Sequence, residues 1–253
     1  MVAIPEASAP QGVRIYAIGD VHGRLDLLRA LDAAIGDDLA RSPVPSHEIV
    51  LLGDLIDRGP DSCGVLAWLA ETMAGRPVRS VRGNHDQYLL DFLDDAHFPD
   101  FESWMAYGGP ETLLSYGVDA PEVRDAAARE ALHAQTKAAV PTAHVALLRG
   151  LPTLIQRGDY AFVHAGIRPG TPLAEQEETV LQWIRHPFLA SDAEHEAVIV
   201  HGHTPSERVT VRPNRIGVDT GAVFGGPLSC IVLEGRTQRL IQAGGPPELP
   251  LGA

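Results

Sequence analysis

The sequence has little cysteine and no long apolar run. Cys63 and Cys230 are the only cysteines in 253 residues, and they lie far apart, so neither a disulfide framework nor a zinc–thiolate cluster is expected. No segment approaches the roughly 20 apolar residues of a membrane helix. The first dozen residues have no basic stretch followed by an apolar one, so they do not resemble a signal peptide. We expect a cytoplasmic protein with two buried thiols and no membrane partner.

Positive charge is also scarce. Twenty Lys and Arg residues face 33 Asp and Glu residues, which gives a formal net charge of −13. Such a surface repels nucleic acid and anionic membranes, so no nucleic-acid partner is expected. Any bound phosphate therefore needs a locally positive site. The length and the 45% hydrophobic content favour one elaborated domain. The oligomeric state is left open, with a monomer favoured.

The chain repeats one local pattern, in which a short aliphatic run is followed at once by Gly, Asp, His or Asn. Amphipathic helical spacing separates the first of these runs, as at Leu28, Leu31 and Ile35, which predicts strand–helix–strand units. Two more strand-like runs, 215–224 and 228–235, resemble a closing hairpin or meander. The five repeated runs are 14–23, 48–59, 78–86, 160–166 and 197–204.

These patterns divide the chain into three segments, and the middle segment contains an insertion. Residues 13–242 are predicted to form the single domain, after a flexible leader at 1–12 and before a Pro/Gly-rich tail at 243–253. Within the domain, residues 97–150 read as a mostly helical insertion. Whether this insertion is a lid over the functional site or an ordinary pair of surface helices is left open.

Polar side chains follow each of the five strands. Since the carboxyl ends of parallel strands meet at one edge of a sheet, these side chains are expected to lie together. Any one of them could serve a turn, but three oxygen ligands and three imidazoles at one edge match borderline divalent metals. Six ligands are too many for one open tetrahedral zinc site and suit two metals that share a carboxylate, which Asp54 would supply. The six are Asp20, His22, Asp54, Asn84, His164 and His203.

Three further residues at these strand ends suggest phosphate chemistry. Arg58 can bind phosphate oxygens in bidentate fashion. His85 can act as the general acid that protonates a leaving oxygen, and Asp57 can orient its ring. His201 has no evident partner in this scheme, and a supporting role behind the metal ligands is left open for it. Arg82 is expected to support its loop.

The motifs GDVHG, GDLIDRG, GNHD, HAG and GHT resemble those of the calcineurin-like metallophosphoesterases, and more narrowly the compact bacterial and phage phosphoprotein phosphatases. The resemblance spans Arg14 to about Glu234. It implies an α/β fold in which a two-sheet β-sandwich is flanked by helices. It also implies two divalent metals, manganese or alternatively iron or zinc. One would be held by Asp20, His22 and Asp54, and the other by Asp54, Asn84, His164 and His203.

The same resemblance extends to the phosphate ligands. The QWIR stretch ending at Arg185 is similar to a Trp-x-Arg element of the family, which implies that Arg185 is a second phosphate ligand beside Arg58, Asn84 and His85. Asp219 is expected to be structural. Four residues of the insertion are expected to shape the rim of the cleft, although its aromatic side chains could equally belong to the core: Trp104, Tyr107, Gly108 and Gly109.

The resemblance implies a serine/threonine protein phosphatase, with dual specificity left open, that hydrolyses phosphomonoesters in one step with a hydroxide held between two metals. Its partner would be a phosphorylated peptide, protein or small phosphoester. The alternative is a hydrolase of diadenosine tetraphosphate or another small phosphorylated molecule. Relatives of that kind typically read Ala-Arg-Gly where this chain has Asp57-Arg58-Gly59, which favours the phosphatase. A non-enzymatic binding protein is the remote alternative, because no ligand or arginine is missing.

Overall fold

Ten strands form two five-stranded mixed sheets in the computed structural model, which describes residues 6–120, 123 and 125–245. The first sheet has the order β10-β9-β1-β2-β3 and the second the order β4-β5-β6-β8-β7. The strands of the first sheet are β1 (Val13–Ile18), β2 (Ser46–Leu51), β3 (Val78–Ser80), β9 (Leu228–Glu234) and β10 (Thr237–Ala243). Those of the second are β4 (Leu154–Arg157), β5 (Tyr160–Val163), β6 (Val198–His201), β7 (Thr210–Arg212) and β8 (Arg215–Gly217).

Eight α-helices accompany these strands in the described ranges. α1 and α2 connect β1 to β2 and β2 to β3, so the predicted strand–helix–strand units are confirmed. Leu28, Leu31 and Ile35 of α1 are buried, as their spacing predicts. The helices are α1 (Leu25–Arg41), α2 (Ser62–Gly75), α3 (Asn84–Asp94), α4 (Phe101–Ala106), α5 (Gly109–Ser115), α6 (Ala126–Ala139), α7 (Thr142–Gly150) and α8 (Glu178–Trp183).

Alternation along the strands divides the core into layers. Ile15 and Ala17 of β1 lie in the cluster between the two sheets, together with Phe162 and Val200 of the second sheet. The neighbouring Tyr16 belongs to the cluster that packs under the helices. Successive side chains of a strand point to opposite faces, so each strand is buried on both sides. The structure thus confirms the predicted two-sheet sandwich flanked by helices.

The insertion is mostly helical, as predicted, and α4 to α7 lie within it. Its aromatic side chains share a core with α3: the ring of Phe92 lies 5.3 Å from that of Phe101 and 5.1 Å from that of Trp104. Both Phe101 and Trp104 are buried. The insertion is therefore packed against the domain through α4, and a lid-like motion of any part of it stays a prediction.

Three details at the ends of the chain differ from the sequence prediction. Strands β8 and β9 lie in different sheets and do not form a hairpin. The hairpin partner of β9 is instead β10, and Gly235, with φ of +53°, makes the tight turn between these two strands. The leader is not free over residues 7–9, because Ala7 and Ala9 are buried and Ser8 N donates to the carboxylate of Asp159 over 2.9 Å.

The remaining terminal predictions lie largely outside the described residues, namely 1–5 and 246–253. Cys230 is buried, whereas Cys63 is half-buried, and both are free thiols. None of the helices in the described part of the chain is both long and apolar enough to cross a lipid bilayer.

Candidate metal centre

The register of the parallel strands brings the polar strand ends to one edge. Ile18, Leu51 and Ser80 pair in one row across β1, β2 and β3. In the second sheet, Phe162 of β5 pairs with Val200 of β6. The chain leaves each of these strands within one or two residues of the row, and the side chains that follow converge in one cleft. The predicted gathering at the strand ends is therefore what the structure shows.

Five residues without the freedom of glycine adopt positive φ angles in the described chain, and all five belong to the predicted site. A left-handed conformation costs such a residue on the order of 1 kcal/mol. The surrounding loops enforce it here, and a side chain at Gly83, for example, would clash with the backbone of Asp54. The positive φ angles therefore lower the stability of the fold somewhat, and they orient these side chains towards the site. They are His22 (+44°), Asp54 (+48°), Asp57 (+72°), Arg58 (+67°) and His203 (+67°).

Asp54 lies at the centre of the cluster. Its Oδ2 is 3.4 Å from Nε2 of His22, and its Oδ1 is 3.3 Å from Nε2 of His164. Ligand atoms of His22, Asp54 and His85 lie within 4.8 Å of one another, and so do those of Asp54, His164 and His203. Because its two oxygens face different histidines, Asp54 has the placement of a carboxylate that bridges two cations.

Backbone carbonyls fix the orientation of two of the imidazoles. Nδ1 of His22 donates to the carbonyl of Ile56, and Nδ1 of His164 donates to that of Leu52, each over 2.8 Å. A carbonyl can only accept, so the Nε2 atom of each ring is left to face the cluster. Metal-binding histidines in proteins are held in this way by their second nitrogen.

The atoms around His164 fit a cation. Its Nε2 lies 2.9 Å from Oδ1 of Asn84 and 3.1 Å from Nδ1 of His203, and Nε2 of His203 is buried without a hydrogen-bond partner in the described structure. Oxygen and imidazole donors together are the set that borderline divalent metals prefer. The residues present therefore fit a metal site.

Charge and burial in this cluster shift the pKa values of its histidines in opposite directions. Burial lowers the pKa of His164, but the nearby carboxylates of Asp54 and Asp20 outweigh burial and raise it to about 10. Burial lowers the pKa of His203 and that of His22 to about 3. His164 thus favours a positive charge, whereas His22 and His203 favour the neutral ring with a lone pair.

Asp20 is placed differently from its predicted partners. Both of its carboxylate oxygens accept from the backbone N–H of His203, over 3.0 and 3.1 Å. The group of close ligand atoms around His22 contains His85 rather than Asp20. Asp20 is nonetheless buried beside the cluster, where burial and the charge of Asp219 raise its pKa. Its role as a metal ligand stays a prediction.

Asp57, Arg58 and His85 form a connected group beside the metal ligands. Nδ1 of His85 donates to Oδ2 of Asp57 over 2.7 Å. Arg58 donates from Nη2 to Nε2 of His85 over 2.9 Å and from Nη1 to Nε2 of His22 over 2.7 Å. The guanidinium of Arg58 therefore joins the candidate general acid to a candidate metal ligand.

The insertion completes the surroundings of Asp57, which is fully buried. Its carboxylate accepts from Nε1 of Trp104 over 3.0 Å and from Oγ1 of Thr112 over 2.6 Å. The sequence left open whether Trp104 lies on the rim of the cleft or in the core, and the structure buries its ring, with this contact to Asp57. Thr112 had no motif around it, and only the need of a buried carboxylate for donors could have indicated such a partner.

A cavity of about 230 Å³ opens over the cluster. It brings Arg185 to the same space as Arg58 and the metal ligands, as the QWIR resemblance implies. Sequence reasoning did not assign three of its lining residues to the site, namely Tyr88, Ser103 and Trp183. Tyr88 and Ser103 lie on helices without a motif, and in the Trp-x-Arg element only the arginine was given a role. The predicted site residues that line it are Asp54, Arg58, Asn84, His85, Arg185 and His203, beside the rim residue Tyr107.

Other polar residues support the loops around the cavity. Asp86 accepts from the backbone N–H groups of Leu55 and Gly83, over 2.9 and 2.8 Å, and so ties the loops after β2 and β3 together. Arg82 contacts the carboxylate of Glu178 at 3.2 Å. His201 is buried behind the site, with its Nε2 lacking a partner among the described residues. Its role stays open.

Comparison with known proteins identifies the family. Residues 13–230 match the family model described as calcineurin-like phosphoesterase. The chain belongs to this family. It is therefore a metallophosphoesterase, of a family that uses divalent metals, and the predicted family resemblance is confirmed.

The relatives of the chain carry two kinds of activity in their names. A bis(5′-nucleosyl)-tetraphosphatase PrpE [asymmetrical] from Bacillus velezensis is 27% identical over 232 residues, which cover 84% of this chain and 86% of the relative. Serine/threonine-protein phosphatase 1 from Salmonella typhimurium is 29% identical over 228 residues, which cover 85% and 89%. A crystal structure of a proposed diadenosine tetraphosphatase superimposes with a TM-score of 0.66 at 22% identity, over 94% and 98% of the two chains, and this likeness concerns the fold.

Proposed function

We propose that this metallophosphoesterase hydrolyses dinucleoside tetraphosphates. The observation that carries the proposal is the position of its exposed aromatic rings. Among the described residues, the exposed Trp, Tyr and Phe side chains are Tyr107, Trp183 and Phe224. Tyr107 and Trp183 line the cavity above the metal ligands, and the guanidinium carbon of Arg58 lies 5.5 Å from the ring centre of Phe224. Exposed rings around a phosphate site suit nucleobases, which stack on them.

The relatives of the chain also favour a dinucleoside tetraphosphate over a phosphoprotein as the substrate. Sequence reasoning favoured a protein phosphatase because Asp57 precedes Arg58. However, tetraphosphatases are prominent among the relatives that match most of the chain, including the Bacillus velezensis protein and a symmetrical tetraphosphatase from Aromatoleum aromaticum. We therefore place the nucleotide alternative ahead of the phosphoprotein phosphatase.

The residues of the cleft suggest how the reaction would proceed. Two divalent cations, held by the six predicted ligands, would supply Lewis acidity and lower the pKa of the attacking water. Arg58 and Arg185 would bind oxygens of the attacked phosphate, since both line the cavity and a guanidinium matches phosphate geometry. His85 would pass a proton from Nε2 to the leaving oxygen. Asp57 would stabilise the charged imidazole through the hydrogen bond at Nδ1.

A phosphoprotein phosphatase remains the second candidate, and the Asp57–His85 pair favours it. A serine alkoxide leaves poorly without a proton, whereas a polyphosphate leaves readily. A general acid held in position is therefore needed most for a protein substrate. The match to the Salmonella typhimurium phosphatase supports the same activity. Both candidates share the metals and the arginines and differ in what the rim binds.

The test of the proposal is a comparison of two substrates across rim variants. Trp183→Ala should raise KM for diadenosine tetraphosphate about tenfold, because stacking contributes about 1–3 kcal/mol per base, and leave KM for glycerol 2-phosphate within twofold. Met73→Ala, an exposed apolar residue on α2, is the matched control and should change neither. An unchanged KM for the dinucleotide in both Trp183→Ala and Tyr107→Ala would refute the proposal.

A further inference from the structure

A second, larger groove adjoins the catalytic cavity. It encloses about 650 Å³ at the start of α1 and beside the loop that follows β2. Three arginines and two aspartates line it, together with Val223 and short loop residues. The charged residues are Arg24, Asp26, Arg29, Arg58 and Asp61. In a chain with a formal charge of −13, a groove with an excess of arginine is unusual and indicates an anionic ligand.

The charges of this groove are only partly neutralised within the protein. Arg24 donates from Nε and Nη2 to the two oxygens of Asp26, over 2.8 and 2.7 Å. Asp61 accepts from the backbone N–H of Gly64 over 2.7 Å as the N-cap of α2, which fixes its carboxylate but leaves its negative charge in place. Arg29 is exposed and has no ion-pair partner anywhere in the described ranges. Three arginines and two aspartates leave the lining with a net charge of +1, and Arg29 is an exposed arginine within it that no carboxylate pairs with in the described ranges.

Arg58 connects this groove to the reaction site. Its side chain lines both the groove and the catalytic cavity, and its two Nη atoms contact His22 and His85. A phosphate held by Arg58 at the metal ligands is therefore next to the groove. Further phosphates of a longer chain would then extend into the groove towards Arg29, which lines it with Arg58.

A third groove, of about 700 Å³, shares Trp183 and Arg185 with the catalytic cavity. It differs in character, because its other arginine, Arg168, lies 3.5 Å from the carboxylate of Glu177. Its positive charge is that of Arg185, at the border with the catalytic cavity, and Trp183 adds an aromatic ring. The two grooves thus suit the two different parts of a nucleotide, the base and the phosphates.

We propose that the groove formed by Arg24, Arg29 and Arg58 binds the polyphosphate part of the substrate that leaves. This inference rests on the proposed function and adds the direction in which a dinucleoside tetraphosphate lies. The nucleoside next to the attacked phosphate rests at Trp183. The oxygen of water bonds to that phosphorus, the P–O bond on the side of Arg58 breaks, and the released triphosphate oxygen takes the proton. The products are a nucleoside monophosphate and a nucleoside triphosphate.

The groove can be tested with inorganic tripolyphosphate, which has no nucleoside. Its inhibition of glycerol 2-phosphate hydrolysis is measured beside inhibition by orthophosphate, at a fixed concentration of free Mn²⁺. Arg29→Gln should weaken inhibition by tripolyphosphate about five- to tenfold and change that by orthophosphate less than twofold, because only the longer anion reaches the groove. Calorimetric titration with tripolyphosphate should show the same loss of affinity.

Two further variants sharpen the test. Asp26→Asn removes the carboxylate that neutralises Arg24 and should strengthen tripolyphosphate inhibition at least twofold. Arg41→Gln removes an exposed arginine from the other end of α1 and should change neither constant. Unchanged tripolyphosphate inhibition in Arg29→Gln, an equal loss for orthophosphate, or weaker inhibition in Asp26→Asn would each overturn the proposal.

The tripolyphosphate test gives a result whether or not the protein hydrolyses dinucleoside tetraphosphates. If the enzyme does not cleave dinucleoside tetraphosphates but Arg29→Gln shows the selective loss, the groove binds polyphosphate and the proposed function is wrong. If it cleaves them and Arg29→Gln behaves as the unmodified protein does, the function stands and the groove proposal fails.

Discussion

Trp104, from the insertion, and Asp57, from the loop after β2, are joined by a hydrogen bond of 3.0 Å between two fully buried side chains. The same Asp57 oxygen accepts from Nδ1 of His85. The insertion therefore holds the carboxylate that orients the candidate general acid. We therefore expect the insertion to contribute to the positioning of His85 whether or not any part of it moves.

Replacing this one donor tests its role. Trp104→Phe keeps most of the ring but leaves Asp57 one donor short, which should lower the free energy of unfolding by about 1–3 kcal/mol. If the donor also positions His85, kcat for glycerol 2-phosphate should fall and its pH profile should shift, while KM changes little. Trp68→Phe, a half-buried ring on α2, is the control. A loss of stability with an unchanged pH profile would show that Trp104 is only structural.

His85→Asn should affect substrates according to their leaving groups. For a phosphoserine peptide or glycerol 2-phosphate, kcat should fall roughly 10²–10⁴-fold, because an alkoxide needs the proton. For diadenosine tetraphosphate the loss should be much smaller, since the triphosphate leaves without help. Steady-state kinetics on both substrates, with metal content measured in parallel, check this. Equal losses on both substrates would contradict the role of general acid.

Asp54→Asn should lower metal content as well as rate, because the central carboxylate loses its charge. Elemental analysis after dialysis against Mn²⁺ should find less metal per chain than in the unmodified protein. Asp37→Asn, an exposed change on α1, should keep the full content. A full complement of metal in Asp54→Asn would show that this carboxylate does not bridge two ions.

A buried ion cluster away from the site should make stability depend on pH. Arg239 donates to both oxygens of Asp38, which also accepts from Tyr16 and Arg14. The hydrogen bonds from Arg239 outweigh burial and lower the pKa of Asp38 to about 2. Its folded pKa lies below its unfolded value, so the stabilisation is complete above about pH 5 and is lost as the pH falls towards 2.

Urea unfolding of Asp38→Asn across this range measures the effect. The variant should be less stable by about 2 kcal/mol at neutral pH, which corresponds to the shift of the pKa. The difference should shrink below pH 4. Asp37→Asn, its exposed neighbour, should differ little from the unmodified protein at any pH. A difference that stays constant down to pH 2 would mean that the charge of Asp38 is not what stabilises the fold.

The sequence predicted those parts of the fold that follow from local rules. Strand exits such as Gly53-Asp54 are visible because an aliphatic run ends abruptly in polar residues, and the parallel register then brings the exits together. The pairing of β9 with β10 was missed because Thr237–Ala243 is only half-buried and mixes polar and apolar residues. Leader residues such as Ala7 look unremarkable, since their burial depends on tertiary contacts alone.

The residues of the functional site divide in the same way, into those that local sequence reveals and those that only tertiary contacts bring together. Metal-ligand candidates were found because His and Asp beside Gly at strand ends are chemically distinctive. Thr112 and Ser103 were missed because they lie on helices of ordinary composition, and only the folded chain brings them to Asp57 and to the cavity. The preference for a protein phosphatase rested on Asp57 alone, whereas the exposed rings around the cavity, which favour a nucleotide, become visible only in the folded chain.

The most direct test is a competition in one tube. Protein loaded with Mn²⁺ is given equal amounts of diadenosine tetraphosphate and a phosphoserine peptide in ¹⁸O-labelled water, and the products are followed by mass spectrometry. We expect faster loss of the dinucleotide, with AMP and ATP as products and ¹⁸O in the AMP. Faster release of phosphate from the peptide, with the dinucleotide left intact, would contradict it and establish the phosphoprotein phosphatase.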